Sequence, residues 1–219
     1  EKILEIEQWG ETGLEMVDLS NCENLRKIAS PSKKSFENLK SDEKGYDGLC
    51  FRLTSCSSLK EIPADLFKYC NNTSGFVDTF FGCESLITIP EELFANCPNA
   101  ANFDATFAGC TTLTTIPENL FANCPNATTF EGVFADCTSL TTIPQTLFDN
   151  CQKVESFVGT FNNCTSLTGK PIELWTRGTN NAENRYRGTP DGNACYYSCI
   201  GLEGYEAIPD YWKNGKIEK

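Results

Sequence analysis

Apolar residues recur in one fixed pattern through the centre of the chain. The pattern is C-x2-L-x2-I-P-x2-L-F-x2-C-x5-F-x3-F-x2, and it repeats every 27 residues without a gap. Its four copies begin at Cys56, Cys83, Cys110 and Cys137, and the fourth ends just before Cys164. A period of this length predicts stacked coils, because each unit buries its apolar side chains only against its neighbours.

The repeat also sets the domain organisation. We predict a single domain over residues 1–219, with four regular units at 56–163. Residues 1–55 form an N-terminal cap and an irregular first unit, and residues 164–219 form an irregular last unit and a C-terminal cap. Irregular end units are expected, since a terminal coil has to cover its open face.

Each unit predicts a short series of elements. L-x2-I-P favours a short strand that ends at the proline, which has no N–H for a strand ladder. The next segment, x2-L-F-x2-C, favours a single helical turn or a tight corner, and a second extended stretch leads to the following phenylalanine. The predicted fold is therefore α/β but rich in β-structure, with about six coils roughly 4.8 Å apart. Phenylalanines at equivalent positions should stack in a column inside it.

The repeat resembles a known family. The core F-x2-C-x2-L-x2-I is similar to that of the BspA-like bacterial leucine-rich repeats, and the N-terminal stretch around Trp9, Gly10, Cys22 and Leu25 resembles the first unit of that family. The resemblance implies a leucine-rich-repeat solenoid. It also implies a secreted or cell-surface protein of bacteria with a role in adhesion, whose export signal lies outside this chain.

Composition narrows the function. The chain has 18 Lys and Arg against 30 Asp and Glu, a formal net charge of −12, and no histidine. An anionic surface disfavours nucleic acid as a partner. The absence of histidine removes Ser-His and Cys-His nucleophile pairs and imidazole metal ligands. Apolar runs are much shorter than the ~20 residues that span a bilayer. We therefore expect no enzyme activity, no cofactor, no metal and no transmembrane segment.

Eleven of the 13 cysteines lie on repeat positions, and only Cys50 and Cys195 stand apart. Three states are open: buried thiols that contact turn backbone, disulfides between neighbouring coils, and metal ligands. Metal sites usually need short ligand pairs such as C-x2-C, which the chain lacks. Side chains at equivalent positions point in parallel, which disfavours disulfide geometry. We predict reduced, buried thiols, with Cys50 and Cys195 as the exceptions to test.

Two regions are candidate binding sites. Threonines recur beside the buried Leu and Ile of L-x2-I, and they would form an outward row of hydroxyl groups for a polar ligand. They are Thr88, Thr114, Thr115, Thr141 and Thr142. Strand propensity alone also explains threonine at these positions.

The second region interrupts the repeat between Trp175 and Asn193. It carries Arg177, Arg185, Tyr186 and Arg187, residue types that often anchor interfaces and sugars. A polar cap over the end of the stack is the alternative explanation.

The resulting functional hypothesis is a monomeric, non-enzymatic surface module that binds a host or extracellular protein or a glycan. A structural spacer without its own ligand is the alternative. A carbohydrate-processing enzyme is a remote alternative, which would need two carboxylates about 5–9.5 Å apart in a cleft.

Overall fold

Regular helices and strands occupy little of the chain, and stacked turns make up most of it. The computed structural model describes residues 4–11, 13–39, 51–176 and 190–215. The elements in chain order are strands β1 (Glu5–Ile6), β2 (Val17–Asp18) and β3 (Lys27–Ile28), helix α1 (Lys33–Phe36), strand β4 (Phe51–Arg52), 3-10 helices at Leu174–Thr176 and Tyr205–Ala207, and helix α2 (Asp210–Asn214).

Parallel pairing joins each coil to the next. β1 pairs with β3 and β2 pairs with β4, both in parallel. Further along, a row of parallel β-bridges links equivalent residues of successive coils: Gly75, Asn102, Thr129, Ser156 and Asp191. Through the regular units the bridges have a constant spacing of 27 residues, so equivalent residues of neighbouring units lie side by side.

Most of the bonding between coils lies on a different segment from the predicted one. Four backbone N–H groups in each F-x3-F-x2 segment donate to carbonyls of the next coil, as from Phe103 to Thr129 (3.1 Å) and from Ala105 to Glu131 (2.8 Å). The predicted L-x2-I strand is present only as β3 in the first coil. In the regular coils L-x2-I-P is extended but carries only isolated bonds such as Thr141 N to Thr114 O (3.1 Å), so the strand prediction is wrong there.

Consecutive turns shape the segment that does carry the bonds. Thr79 N bonds Phe76 O (3.2 Å) across Asp78, and Cys83 N bonds Phe80 O (3.2 Å) across Gly82. Asp78 and Gly82 have φ of 53° and 67°, as the third residue of a type II turn requires. Asp78 and Gly82 also donate their N–H groups to the next coil, to Asp104 O (3.0 Å) and Ala108 O (2.7 Å), so these N–H groups point along the stack.

The L-F corners are tight turns rather than α-helical turns. Leu66 N bonds Pro63 O (3.1 Å) and Cys70 N bonds Phe67 O (3.0 Å), three residues back in each case. The chain reverses within a few residues after the proline, which leaves no length for bonds to the fourth residue back. The last long unit has the 3-10 helix Leu174–Thr176 at this place, and α2 follows Pro209 in the final fragment.

Aromatic rings fill the interior in three columns. Phe67, Phe94, Phe121 and Phe148 stack nearly parallel at 5.9–6.0 Å between centroids. A second column has centroid distances of 5.3–5.9 Å and consists of Phe76, Phe103, Phe130 and Phe157. The third has distances of 5.4–5.8 Å and consists of Phe80, Phe107, Phe134, Phe161 and Tyr196. The prediction of stacked phenylalanines is confirmed, and neighbouring columns add tilted and edge contacts that favour aromatic packing.

The cysteines are packing groups. All twelve described cysteines are free thiols, and eleven of them are buried. The cysteines that begin successive units lie one above the other, and we call such a row a ladder. In this ladder each Sγ donates to a carbonyl of the preceding coil, as from Cys110 to Phe80 (3.4 Å) and from Cys137 to Phe107 (3.2 Å). Burial raises the pKa of Cys56 and Cys70 to about 12, so these thiols stay protonated at neutral pH. The prediction of buried thiols that bond turn backbone is confirmed for the described residues.

Cys195 belongs to the interior as well. It is a free thiol and fully buried. It occupies the same coil position as Thr106 and Thr160 in earlier coils. Those threonines donate to phenylalanine carbonyls of their own and the preceding coil at 2.7–2.9 Å. Cys195 is therefore a small interior side chain. Cys50 lies outside the described residues.

Both ends of the stack are covered by aromatic caps. At the N-terminal end the Trp9 ring packs on Phe36 and Phe51, at 5.1 and 5.7 Å between centroids. At the C-terminal end α2 supplies backbone carbonyls to the last coil, since Tyr196 N donates to Trp212 O at 2.9 Å. These contacts cover the described residues at both ends of the stack, and the predicted bounds of the caps stay a prediction.

Candidate functional site

One side of the stack is lined by hydroxyl groups and carries no charge over three coils. We call this side the hydroxyl face. It lies between the cysteine and the proline of each unit, where the Leu and Ile side chains are buried and the remaining side chains are exposed or half-buried. In the third coil the exposed Lys170 stands before the proline and marks the end of the uncharged positions. The hydroxyl face consists of Thr111, Thr112, Thr114, Thr115, Thr138, Ser139, Thr141, Thr142, Thr165, Ser166, Thr168 and Gly169.

Hydrogen bonds between coils fix part of this face. The hydroxyl of Thr141 donates to Thr114 O and that of Thr168 donates to Thr141 O, both at 3.2 Å. Thr112 Oγ1 donates to Glu84 O at 2.7 Å. Each of these hydroxyls donates its proton to a carbonyl of the preceding coil, and its oxygen lone pairs stay available to accept a hydrogen bond from a ligand. Thr115 and Thr142 form an adjacent, exposed row whose hydroxyls can both donate and accept.

The rest of the surface contrasts with this face. Charged side chains lie on the other sides of the same coils: Glu118, Glu131, Asp136, Asp149, Lys153 and Glu155. Lys60 and Glu61 lie before the hydroxyl face along the stack, and Glu203 lies after it. Apart from Lys170 at the end next to the last coil, the face offers no cation to bind an acidic group, so in a chain of net charge −12 it suits a neutral ligand.

A cavity opens where the hydroxyl face meets the last coil. Its volume is about 520 Å³, which lies within the range of small-ligand sites. It is lined by Gln145, Lys170, Pro171, Glu173, Trp175, Glu203, Gly204, Ala207 and Ile208. Backbone bonds join it to the face, since Glu203 N donates to Gly169 O at 2.8 Å.

Trp175 is the aromatic wall of the cavity. Its ring makes edge contacts with Tyr196 and Trp212, both at 6.2 Å between centroids. Tyr196 is itself fixed, because its hydroxyl donates to Ile172 O at 2.8 Å. The indole is therefore held in one orientation beside the carboxylates of Glu173 and Glu203.

The structure places the two sets of predicted site residues differently. Thr114, Thr115, Thr141 and Thr142 lie together on the hydroxyl face, and Thr88 extends the row of Thr115 and Thr142 by one coil. Arg177, Arg185, Tyr186 and Arg187 lie outside the described residues. Their role in binding stays a prediction.

Sequence reasoning missed the other half of the face. Thr111, Thr138 and Thr165 follow ladder cysteines, and a residue that repeats beside each cysteine was the available signal. The cavity around Trp175 was also missed. Its lining comes from different coils, so no single stretch of sequence marks it.

The carboxylates beside the turns accept hydrogen bonds from the next coil. Asp104 Oδ1 accepts from Thr129 Oγ1 (2.6 Å) and from Glu131 N (2.8 Å), and Glu131 accepts from Ser156 Oγ (2.7 Å). Burial raises the pKa of Asp104 above its usual value in spite of these bonds. The described residues contain no group of three or more potential metal ligands, and no helix among them is long and apolar enough to cross a membrane.

Comparison with known proteins gives only distant similarities. No protein-family model and no curated protein matches the chain. A structure described as the LRIM1/APL1C complex is 15% identical with a TM-score of 0.41, and the match covers 75% of this chain and 31% of that chain. The APL1 leucine-rich repeat domain is 15% identical with a TM-score of 0.40, over 76% of this chain and 44% of that one.

A leucine-rich repeat protein from Bacteroides ovatus ATCC 8483 is also similar, with 18% identity, a TM-score of 0.22, and coverage of 84% of this chain and 55% of that chain. This chain spans less than half the length of the first two of these proteins. Membership of the BspA-like family stays a prediction, while leucine-rich-repeat proteins are among the structures to which this chain is similar.

Proposed function

We propose that this protein is a non-enzymatic binding module that holds an extracellular protein or glycan on its hydroxyl face. The single observation that carries the proposal is the face itself: twelve adjacent positions with eleven hydroxyl side chains and no charge, on a chain of net charge −12. Such a surface offers many hydrogen-bond partners and repels few neutral ligands.

The rigidity of the scaffold supports this role. Binding costs free energy when side chains and loops have to be ordered. Here the face is part of a stack with four backbone hydrogen bonds at each regular junction and continuous aromatic columns inside. Thr112, Thr141 and Thr168 are further fixed by bonds to the preceding coil. A ligand therefore meets a surface that is already ordered.

The cellular setting of the proposal rests on the sequence resemblance. We place the module on the surface of a bacterial cell or in its secretions, as a monomer with a role in adhesion. The uncharged face suits such a setting, since glycans and glycosylated proteins there present many neutral hydroxyl groups.

A structural spacer is the second candidate, and one observation favours it. A contiguous apolar or aromatic patch would favour a binder, yet the exposed large hydrophobic side chains among the described residues lie in the early coils and the last coil: Leu4, Met16, Phe81, Ile87, Tyr197 and Ile200. The central coils present hydroxyl groups instead. The two candidates therefore differ in whether the hydroxyl face has a ligand.

The test compares three proteins on panels of glycans and extracellular matrix proteins. Wild type, Thr115→Lys combined with Thr142→Lys, and Gln152→Lys are screened in parallel. Gln152 is exposed on another side of the coil that contains Thr142, so its replacement adds one positive charge away from the face, where the threonine variant adds two on it. We expect panel binding by wild type and Gln152→Lys and its loss in the threonine variant. Binding that survives both threonine substitutions, or no binding to either panel, would favour the spacer.

A further inference from the structure

We infer that the ligand of the hydroxyl face is an uncharged, linear β-linked glycan that lies along the stack with one sugar unit on each coil. The inference rests on the proposed function and adds the class of ligand, its direction and its register. Four features of the face and the adjoining cavity lead to it: period, hydrogen-bonding character, charge and the Trp175 end.

The period of the face distinguishes a glycan from a peptide. Thr115 and Thr142 occupy equivalent positions, so the face repeats once per coil, and parallel neighbours of this kind lie about 4.8 Å apart. An extended peptide advances by about 3.3 Å per residue, or about 6.7 Å for each pair of residues, and it falls out of step after one coil. A pyranose unit in an extended β-linked glycan has nearly the thickness of a coil. Alternate units of a β-1,4-linked glycan face in opposite directions, so equivalent groups of the glycan return in step on every second coil.

The hydrogen-bonding groups of the face suit sugar hydroxyls. The row of Thr114, Thr141 and Thr168 contains hydroxyls that donate inward, and their oxygens can accept from a ligand. The row of Thr115 and Thr142 can donate as well as accept. A sugar hydroxyl also does both, and the equivalent hydroxyl returns on every second coil along the glycan.

Charge selects a neutral glycan over an acidic one. The twelve positions of the hydroxyl face contain no lysine or arginine to pair with a uronate or sulfate group, and Lys170 lies beyond them at the cavity end. Acidic side chains such as Glu84 and Glu118 surround the face, and the whole chain is anionic. A negatively charged polysaccharide would therefore be repelled along the face and could form an ion pair only at its Lys170 end.

The cavity supplies an end to the glycan site. The row of Thr115 and Thr142 continues through Gly169 to Gly204, which lines the cavity. Two glycines leave space above the backbone at this point. The ring of Trp175 can pack against the C–H face of a terminal sugar, and the carboxylates of Glu173 and Glu203 can accept its hydroxyl protons. Pro171 and Ile208 add apolar lining.

Length dependence is the direct test. The full chain is titrated calorimetrically with β-1,4-linked glucose oligomers and β-1,4-linked N-acetylglucosamine oligomers of increasing length. We expect affinity for at least one series to rise with each added unit up to about four units, when the three coils of the face and the cavity are occupied, and then to level off. Thr142→Lys should lower affinity about tenfold or more, a loss of about 1.4 kcal/mol, and Trp175→Ala by a similar factor. Gln152→Lys should bind as wild type does, and circular dichroism verifies that each variant is folded.

The possible outcomes separate this inference from the proposed function. Absence of binding to both series, affinity that does not change with length, or equal affinity for oligogalacturonate would overturn the glycan inference. If Thr142→Lys nevertheless removes a protein partner found on the panels, the binding function stands without the glycan. If Thr142→Lys affects no partner of either kind, both proposals fail. Shorter oligomers that appear during the titration would show a carbohydrate-processing enzyme instead.

Discussion

Replacing Ala105 with glycine should stabilise the coil stack, and replacing Gly132 with alanine should destabilise it. The two residues occupy the same place in successive coils and have φ of 49° and 58°, in the left-handed region. Both N–H groups donate to the next coil at 2.8 Å, to Glu131 O and Val158 O. The same bond is therefore made once with a strained residue and once with an unstrained one.

The structure sets the size of both effects. A residue with a Cβ costs about 1–2 kcal/mol in the left-handed conformation. Glycine offsets about 0.4–1 kcal/mol of this gain, because a chain with glycine has a greater conformational entropy in the unfolded state. A Cβ at Gly132 would come no closer than 3.7 Å to its nearest neighbour, Ala135 Cβ, so conformational strain is the whole effect. We expect a change of about 1 kcal/mol in each direction, or about 2–4 °C in Tm.

Urea and thermal unfolding followed by circular dichroism measure these changes. Ala122→Gly is the matched control, because Ala122 lies outside the positive-φ residues of the described chain. This control should lose about 0.4–1 kcal/mol. If Ala105→Gly loses stability as the control does, the left-handed strain assigned to the turn is wrong.

Three further predictions concern the core and the turns. Among the described cysteines, only Cys22 should react with iodoacetamide in the native protein, and peptide mapping after denaturation should find all 13 modified. Asp104→Asn should be more stable than wild type at neutral pH, since burial raises the pKa of this carboxyl and so disfavours its charged form in the folded state. That advantage should disappear below pH 3.8, where wild type is protonated whether folded or unfolded, and unfolding measured across pH checks it. Phe121→Ala, which opens a gap in the middle of a ring column, should cost about 3–5 kcal/mol in urea unfolding.

Each of these has a clear contrary result. Several native cysteines that react at the rate of Cys22 would contradict the buried ladders. A stability difference for Asp104→Asn that stays constant with pH would remove burial as the cause of the raised pKa. A Phe121→Ala variant as stable as wild type would show that the ring columns do not hold the stack together.

The interior of this protein could be predicted from sequence because it repeats. Phe94 and Phe121 are 27 residues apart, and a constant period places equivalent side chains one above the other. The same reasoning explains the thiols of Cys110 and Cys137, which occupy the same place in adjacent coils. A pattern of buried residues therefore gave the register directly.

The hydrogen bonds between coils were harder to predict. Proline after L-x2-I suggested that a strand ended there, whereas the bonds lie on turns around residues such as Asp78 and Gly82. Residues with left-handed φ in consecutive turns direct their N–H groups along the stack. The sequence patterns that predict strands do not describe turns of this kind. The cavity at Trp175 escaped prediction for another reason, because its walls meet only after the coils have stacked.

The direction of the bonds between coils has a mechanical consequence. Bonds such as those from Phe103, Phe130 and Phe157 to the next coil all run along the stack. Tension applied between the two ends would therefore pull along these bonds and would not shear them. The junctions are arranged in series, so the weakest one would open first. Each regular coil that peels away would release 27 residues, which lengthen the chain by about 90 Å at full extension. Under tension, such a stack would lengthen in steps and absorb work at each step.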